Sequence, residues 1–148
     1  MVFLGNASAM HTTQITVRTG GRRGLFDLTA DCRRFLAEAT AGGQGDGVLN
    51  VFVPHATCGL VVMELGSGSE ADLLATIDRL LPRDDRWVHR HGSFGHGADH
   101  LVPAFAPPSI SIPVVDRRLA LGTWQSIALL DTNVDNETRR VRLTFVAG

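Results

Sequence analysis

Four of the six histidines in this chain fall within twelve residues: His89, His91, His96 and His100, set among Gly92, Gly95 and Gly97. Imidazoles bind metals, move protons near neutral pH and hold anions when protonated. The spacing is not that of a helical zinc-protease motif, and Cys32 and Cys58 share no metal or redox spacing. A second polar run, Thr123-Trp124-Gln125, directly follows Gly122 and sits between the apolar residues Leu119, Leu121, Ile127 and Leu129. That placement predicts a bulged strand pair running into the core, with Trp124 buried. Buried polar groups need partners, and the best candidates are His55, His89 and His100. Three such imidazoles meeting in space would suit an open catalytic zinc site. His91 and His96 are expected to be bystanders, and His11 another.

Two further groups carry chemistry-bearing residues. His55-Ala56-Thr57 links two apolar strands, and Glu64 closes the second, so His55 and Glu64 stand at strand ends where a site could form. The turn from Asp131 to Arg140 mixes acids and arginines; it reads as a surface network or a subunit contact.

Composition removes several classes of function. All 14 basic residues are arginine, and tyrosine is absent. Schiff-base chemistry, a pyridoxal-phosphate anchor and a P-loop lysine are therefore excluded. A net charge of −1 argues against nucleic acid or an anionic membrane as partner. No apolar run approaches the ~20 residues that span a bilayer. With 148 residues and 44% hydrophobic content, one domain with a real core is expected. Residues 1–12 read as a flexible leader and 13–148 as that domain, in a reduced cytoplasmic setting.

The elements that must position these residues follow from periodicity. Gln14 to Thr19 alternates as a half-buried strand, and Gly20, Gly21 and Gly24 form its turn. A helix capped by Asp27 or Thr29 runs to about Ala41, with Leu28, Cys32, Phe35, Leu36 and Ala39 as its stripe. Val48 to Pro54 reads as a strand buried on both faces, and Cys58 to Met63 as another. Ser69 to Leu81 is helical, with Leu73, Leu74, Ile77, Leu80 and Leu81 facing the core. Trp87-Val88-His89 is a short strand candidate. Ala98 to Phe105 is a short helix limited by Pro103. Ser109 to Val114 is a strand, Asp116 to Arg118 a hairpin turn, and Arg139 to Val146 a last strand with Val141, Leu143 and Phe145 on one face. Grouped strands with two main helices give an α+β fold.

His55-Ala56-Thr57, Glu64, His89, His100, Ile112-Pro113-Val114 and Leu121-Gly122-Thr123-Trp124-Gln125, with the acidic turn and Arg139 beyond, resemble the YjbQ family over Ile15 to Val146. Its members are often labelled secondary thiamine-phosphate synthases. The resemblance implies a bent, largely antiparallel β-sheet sandwich assembled as a homotrimer. It implies a pocket at subunit boundaries, in which His55, Glu64, His89 and His100 would act on a phosphorylated small molecule or phosphate-like anion. Thr57, Thr123, Trp124, Gln125, Asp131 and Arg139 would bind that ligand, and His55, His89 and His100 would hold a divalent metal, zinc or magnesium. No nucleotide cofactor is implied. The implied activity is a transferase reaction: a pyrimidine-methyl pyrophosphate couples to a thiazole phosphate and releases pyrophosphate. A non-catalytic metal- or anion-binding trimer with a vestigial site is the alternative. The chain departs from the family pattern at His96, at Asp116-Arg117, at Asp131-Thr132-Asn133 and at Val134 to Glu137; Asn133 removes one carboxylate from the acidic partner.

Overall fold

The computed structural model describes residues 9–43, 45–84 and 86–148. Among the described residues, eight strands form two antiparallel sheets, in keeping with the α+β reading. Five strands make the larger sheet, in the order β1 (Met10–Arg18), β8 (Thr138–Ala147), β3 (Gly47–Phe52), β5 (Ser109–Val115) and β6 (Arg118–Leu119). Three make the smaller: β2 (Gly24–Asp27), β7 (Ser126–Asp131) and β4 (Cys58–Met63). Leu49 and Val51 of β3, Ile112 and Val114 of β5, and Val141, Leu143 and Phe145 of β8 alternate inward from the large sheet. They meet Leu60, Ile127 and Leu129 of the small sheet and the stripe Cys32, Phe35, Leu36 and Ala39 of helix α1 (Thr29–Ala39). Period-two alternation therefore sets one core face per strand.

A second cluster lies on the other side of β7. Leu130 packs there with Leu81, with Ala98 of α3 (His96–Asp99), with Val102 of α4 (Val102–Phe105) and with Ala106, while Leu74 and Ile77 of α2 (Ser69–Leu80) close over it. Thus β7 is the strand buried on both faces. β3 is not: Val48 is exposed beside buried Leu49.

Several expectations are corrected. Gly24 opens strand β2, paired with Asp131, and does not belong to a turn. β6 and β7 do not pair; β6 adds to β5 and β7 to β2 and β4, so residues 120–125 cross between sheets. That crossing leaves Trp124 72% exposed. Residues 87–89 form no strand. Leu80 points to solvent, and Thr29 does not cap its helix by a side chain. Instead Asp27 accepts from the Thr29 amide at 2.8 Å, and Thr29 Oγ1 accepts from the Ile127 amide at 2.9 Å. Residues 10–12, placed with the leader, belong to β1; residues 1–8 lie outside the described residues. Among the described residues, no helix is long and apolar enough to cross a membrane.

Candidate functional site

The glycine-rich segment does the positioning. Gly92 and Gly95 hold φ of 82° and 84°, values that favour glycine. They reverse the chain so that His89 and His91 fold back against α3. A Cβ on Gly92 would run into the His96 ring and the Asp135 carboxylate, and one on Gly97 into the His89 carbonyl and Trp87. Small residues are thus required for the rings to close. His96 opens α3 and His100 follows it four residues on, so the two share a helical face.

All four imidazoles of the segment meet. Ring centroids lie 4.1 Å apart for His89 and His91, 4.2 Å for His89 and His100, and 4.7 Å for His96 with either His91 or His100. One ring nitrogen from each of His89, His91 and His96 lies within 4.8 Å of the others. His91 and His96, expected as bystanders, are therefore core members.

A hydrogen-bond chain fixes their orientation. His96 Nδ1 is 2.6 Å from Asp135 Oδ2, and its Nε2 is 2.9 Å from His100 Nε2. A carboxylate only accepts, so His96 carries its proton on Nδ1 and presents the Nε2 lone pair. With both rings neutral, His100 donates to that lone pair. Asp135 is held in turn by the Asn133 amide, 3.1 Å, and the Ser93 backbone N–H, 3.2 Å. The Asn133 bond above all, with His96 and Ser93 adding to it, keeps the Asp135 carboxyl well below the usual carboxylate range. His89 and His100 are pushed below the ordinary histidine value, first by desolvation and then by the neighbouring imidazoles. Both are neutral at pH 7, the form that ligates metals.

Asn133 is the hub behind this arrangement. Its NH₂ donates to Asp135 and to Asp99 Oδ2 at 3.2 Å, and its Oδ1 accepts from Arg139 Nη2 at 3.2 Å. A carboxylate at this position could not donate, so the amide joins two acids and an arginine where an aspartate would repel. Asp99 is fully buried and also accepts from Arg83 and from Thr132 Oγ1. Asp131 and Arg139 form a buried ion pair, with Nε to Oδ2 at 2.6 Å. The expected surface network in this turn is therefore interior.

The other sequence candidates are placed elsewhere. His55 makes no ring contact with the four imidazoles; its Nε2 accepts from the Arg140 backbone N–H at 3.0 Å. Burial and then Arg139 lower its pKa, against the opposing pull of Asp131. Glu64 is exposed and accepts from Ser67. Thr123 is exposed, and Gln125 accepts from the Gly122 amide at 2.8 Å. Thr57 is buried at the start of β4. Burial pushes the Cys32 and Cys58 thiols up to about 12, which makes both poor nucleophiles. From the sequence alone, Asp135 and Asp99 carry no role, and Asn133 stands only as a lost carboxylate. The one usable signal was an acidic turn following the longest fully buried strand.

The arrangement is a histidine-lined cleft on an antiparallel α+β scaffold. Residues 13–148 match the family profile described as UPF0047 protein YjbQ-like. The chain is 53% identical over 139 residues to the UPF0047 protein Rv2556c of Mycobacterium tuberculosis, covering 94% of this chain and all of that one. It is 32% identical over 129 residues to a UPF0047 protein of Archaeoglobus fulgidus, covering 86% and 95%. Among solved structures, a YbjQ-like protein of unknown function from Sulfolobus solfataricus superposes with a TM-score of 0.87 at 23% identity, covering 95% of this chain and 99% of that one. A hypothetical protein from Aeropyrum pernix gives 0.82 at 30% identity, covering 93% and 99%. The chain belongs to the YjbQ/UPF0047 family.

Proposed function

We propose that the protein binds a divalent, zinc-type metal ion through His89, His91 and His96, and uses it to engage a phosphorylated small molecule. The observation that carries this reading is the convergence of three ring nitrogens within 4.8 Å. The donor set fits the ion. Neutral imidazoles suit zinc, the Asp135 bond leaves the lone pair of His96 on Nε2, where a bound ion would displace the His100 N–H, and a carboxylate behind a ligating histidine is the usual second partner. Nitrogens on a tetrahedral zinc are separated by about 3.4 Å, from Zn–N distances of ~2.0–2.1 Å, so small ring movements suffice. In this reading His91 and His96 take the places in the metal set that the family resemblance gives to His55 and His100. Magnesium, which prefers oxygen ligands, fits poorly. When bound, the ion would supply a Lewis acid facing the cleft of about 280 Å³ lined by Trp87, Arg90, Phe94 and the histidines. Among the described residues, the Arg90 guanidinium bonds the Trp87 carbonyl alone, at 3.0 Å, which leaves its remaining donors for an anion.

Calorimetric titration tests the reading. Zinc is expected to bind at one ion per chain. Affinity should be flat above about pH 6.5, the ordinary histidine value, and fall below it as protons take the ring nitrogens. Because the His89 and His100 values are lowered, that fall should begin later on acidification than for free imidazole. His89→Ala and His91→Ala should abolish binding, and His55→Ala should leave it intact. An intact site in both single variants removes the proposal. Pyrophosphate titrated onto the zinc form probes the phosphate. Thiamine-phosphate formation that depends on these histidines would establish the transferase activity implied by the family resemblance, and its absence leaves metal binding as the function.

We also propose that the chain forms the homotrimer. Support comes from the outer face of the large sheet, where exposed Met10, Val146 and Val48 are neighbours by register. Sedimentation equilibrium at micromolar concentration is expected to show three copies. A lone 15.9 kDa species would count against it.

A further inference from the structure

A second polar cleft lies away from the histidines, between α1 and the β5–β6 hairpin. Its volume is about 360 Å³, and Arg33, Arg117 and Arg118 line it with Leu36 and Leu119. Among the described residues, no carboxylate lines it and none of these three arginines is in an ion pair. The hairpin that presents two of them is strained. Asp116 and Arg117 hold φ of 49° and 62°, and among the described residues they are the non-glycine residues with positive φ. A two-residue turn of this kind favours glycine or asparagine. The turn is pinned from below: the Arg117 amide donates to the Gly45 carbonyl at 2.7 Å, and the Asp116 amide to Asp46 Oδ1 at 2.9 Å. An arginine held in the left-handed region costs stability, and such strain collects at functional positions.

We propose that this cleft is a binding site for a small organic phosphate, separate from the histidine site. Three arginines lining one cleft supply charge and paired donors matched to phosphate oxygens. Leu119 offers apolar surface for the rest of the ligand. The cleft falls in the size range of small-molecule pockets. A nucleic-acid strand fits less well, because the arginines are confined to one concavity on a chain of net charge −1.

The probe is ADP, titrated into the metal-free protein and followed by calorimetry. Saturable binding at one ADP per chain is expected. Arg33→Gln and Arg118→Gln should each weaken it about tenfold or more, the loss of a charge-assisted hydrogen bond. Arg117→Gly separates binding from folding. It should lose affinity to a similar degree while its thermal midpoint stays level or rises, because glycine adopts the turn without strain. His89→Ala should bind ADP as the native chain does. Native-like affinity in all three arginine variants, loss confined to His89→Ala, or no saturable binding would each overturn the proposal. Binding of single-stranded RNA with no binding of ADP would overturn it as well.

Discussion

Replacing Arg139 by alanine is expected to cost about 3–5 kcal/mol, the range for removing one partner of a buried ion pair. Arg139 is 2% exposed and Asp131 0%. The guanidinium donates Nε to Asp131 Oδ2 at 2.6 Å and Nη2 to Oδ1 at 3.2 Å. Without it, the Asp131 carboxylate keeps the Asn133 amide, at 3.1 Å, as its backbone donor. One such bond does not offset the desolvation of a buried charge. The double variant Asp131→Ala/Arg139→Ala should be less damaging than the sum of the singles, because it leaves no orphan charge. Urea titrations read as midpoints at constant slope measure all three. A loss below about 1 kcal/mol for Arg139→Ala would show that water reaches the pair. Arg86→Ala, which removes an exposed pair with Asp84, is the control and should leave the midpoint unmoved. A second consequence reaches the site. Arg139 also donates to Asn133 Oδ1, so its removal should loosen Asn133, Asp135 and the His96 ring together.

Much of the fold is legible from periodicity. β1, β4, β5 and β8 and the helix α1 fall close to where alternation or helical spacing puts them, because each presents one apolar face to the larger cluster. What fails depends on partner choice. Residues 118–131 look like one bulged ladder, yet the two ends join different sheets, and nothing local encodes which neighbour a strand will pair with. The apolar run of β3 suggests two buried faces, but an outer sheet face tolerates Val48. β2 is four residues long and begins with glycine, too short for period two to register. The site divides the same way. Clustering of histidines along the chain is visible, and the family resemblance points to His89 and His100. The role of His91 and His96 depends on two glycine reversals that bring residues 89 to 91 against α3. Asp135 depends on the β7–β8 turn arriving beside them. The family resemblance points to His55 as well, and in the fold its Nε2 accepts from the Arg140 backbone N–H of β8, apart from the four clustered rings.

Asp135→Ala is expected to weaken zinc binding about 10–100-fold, the usual effect of removing the partner behind a ligating histidine. The Asp135 carboxylate accepts the His96 Nδ1 proton at 2.6 Å, which leaves the lone pair on Nε2, the nitrogen that lies 2.9 Å from His100 Nε2. Without it, the ring is free to exchange tautomers and to turn, and Nε2 is no longer the preferred donor. His96→Ala removes the donor itself and should lose more. Asp135→Asn separates charge from geometry. Its amide oxygen still accepts from Nδ1, so it should fall between the native chain and Asp135→Ala. The pH profile tells the two groups apart. Asp135 titrates below the usual carboxylate range and stays ionised wherever zinc is measured, so the loss of affinity below about pH 6.5 belongs to the imidazoles. Asp135→Ala should therefore lower affinity at every pH without moving the fall. Competition titration against a chelator at pH 6 and pH 8 gives both readings. Native affinity in Asp135→Ala would mean that His96 is oriented by packing alone. A shift of the acid limb in that variant would mean that the carboxylate takes part in the proton exchange that accompanies metal uptake.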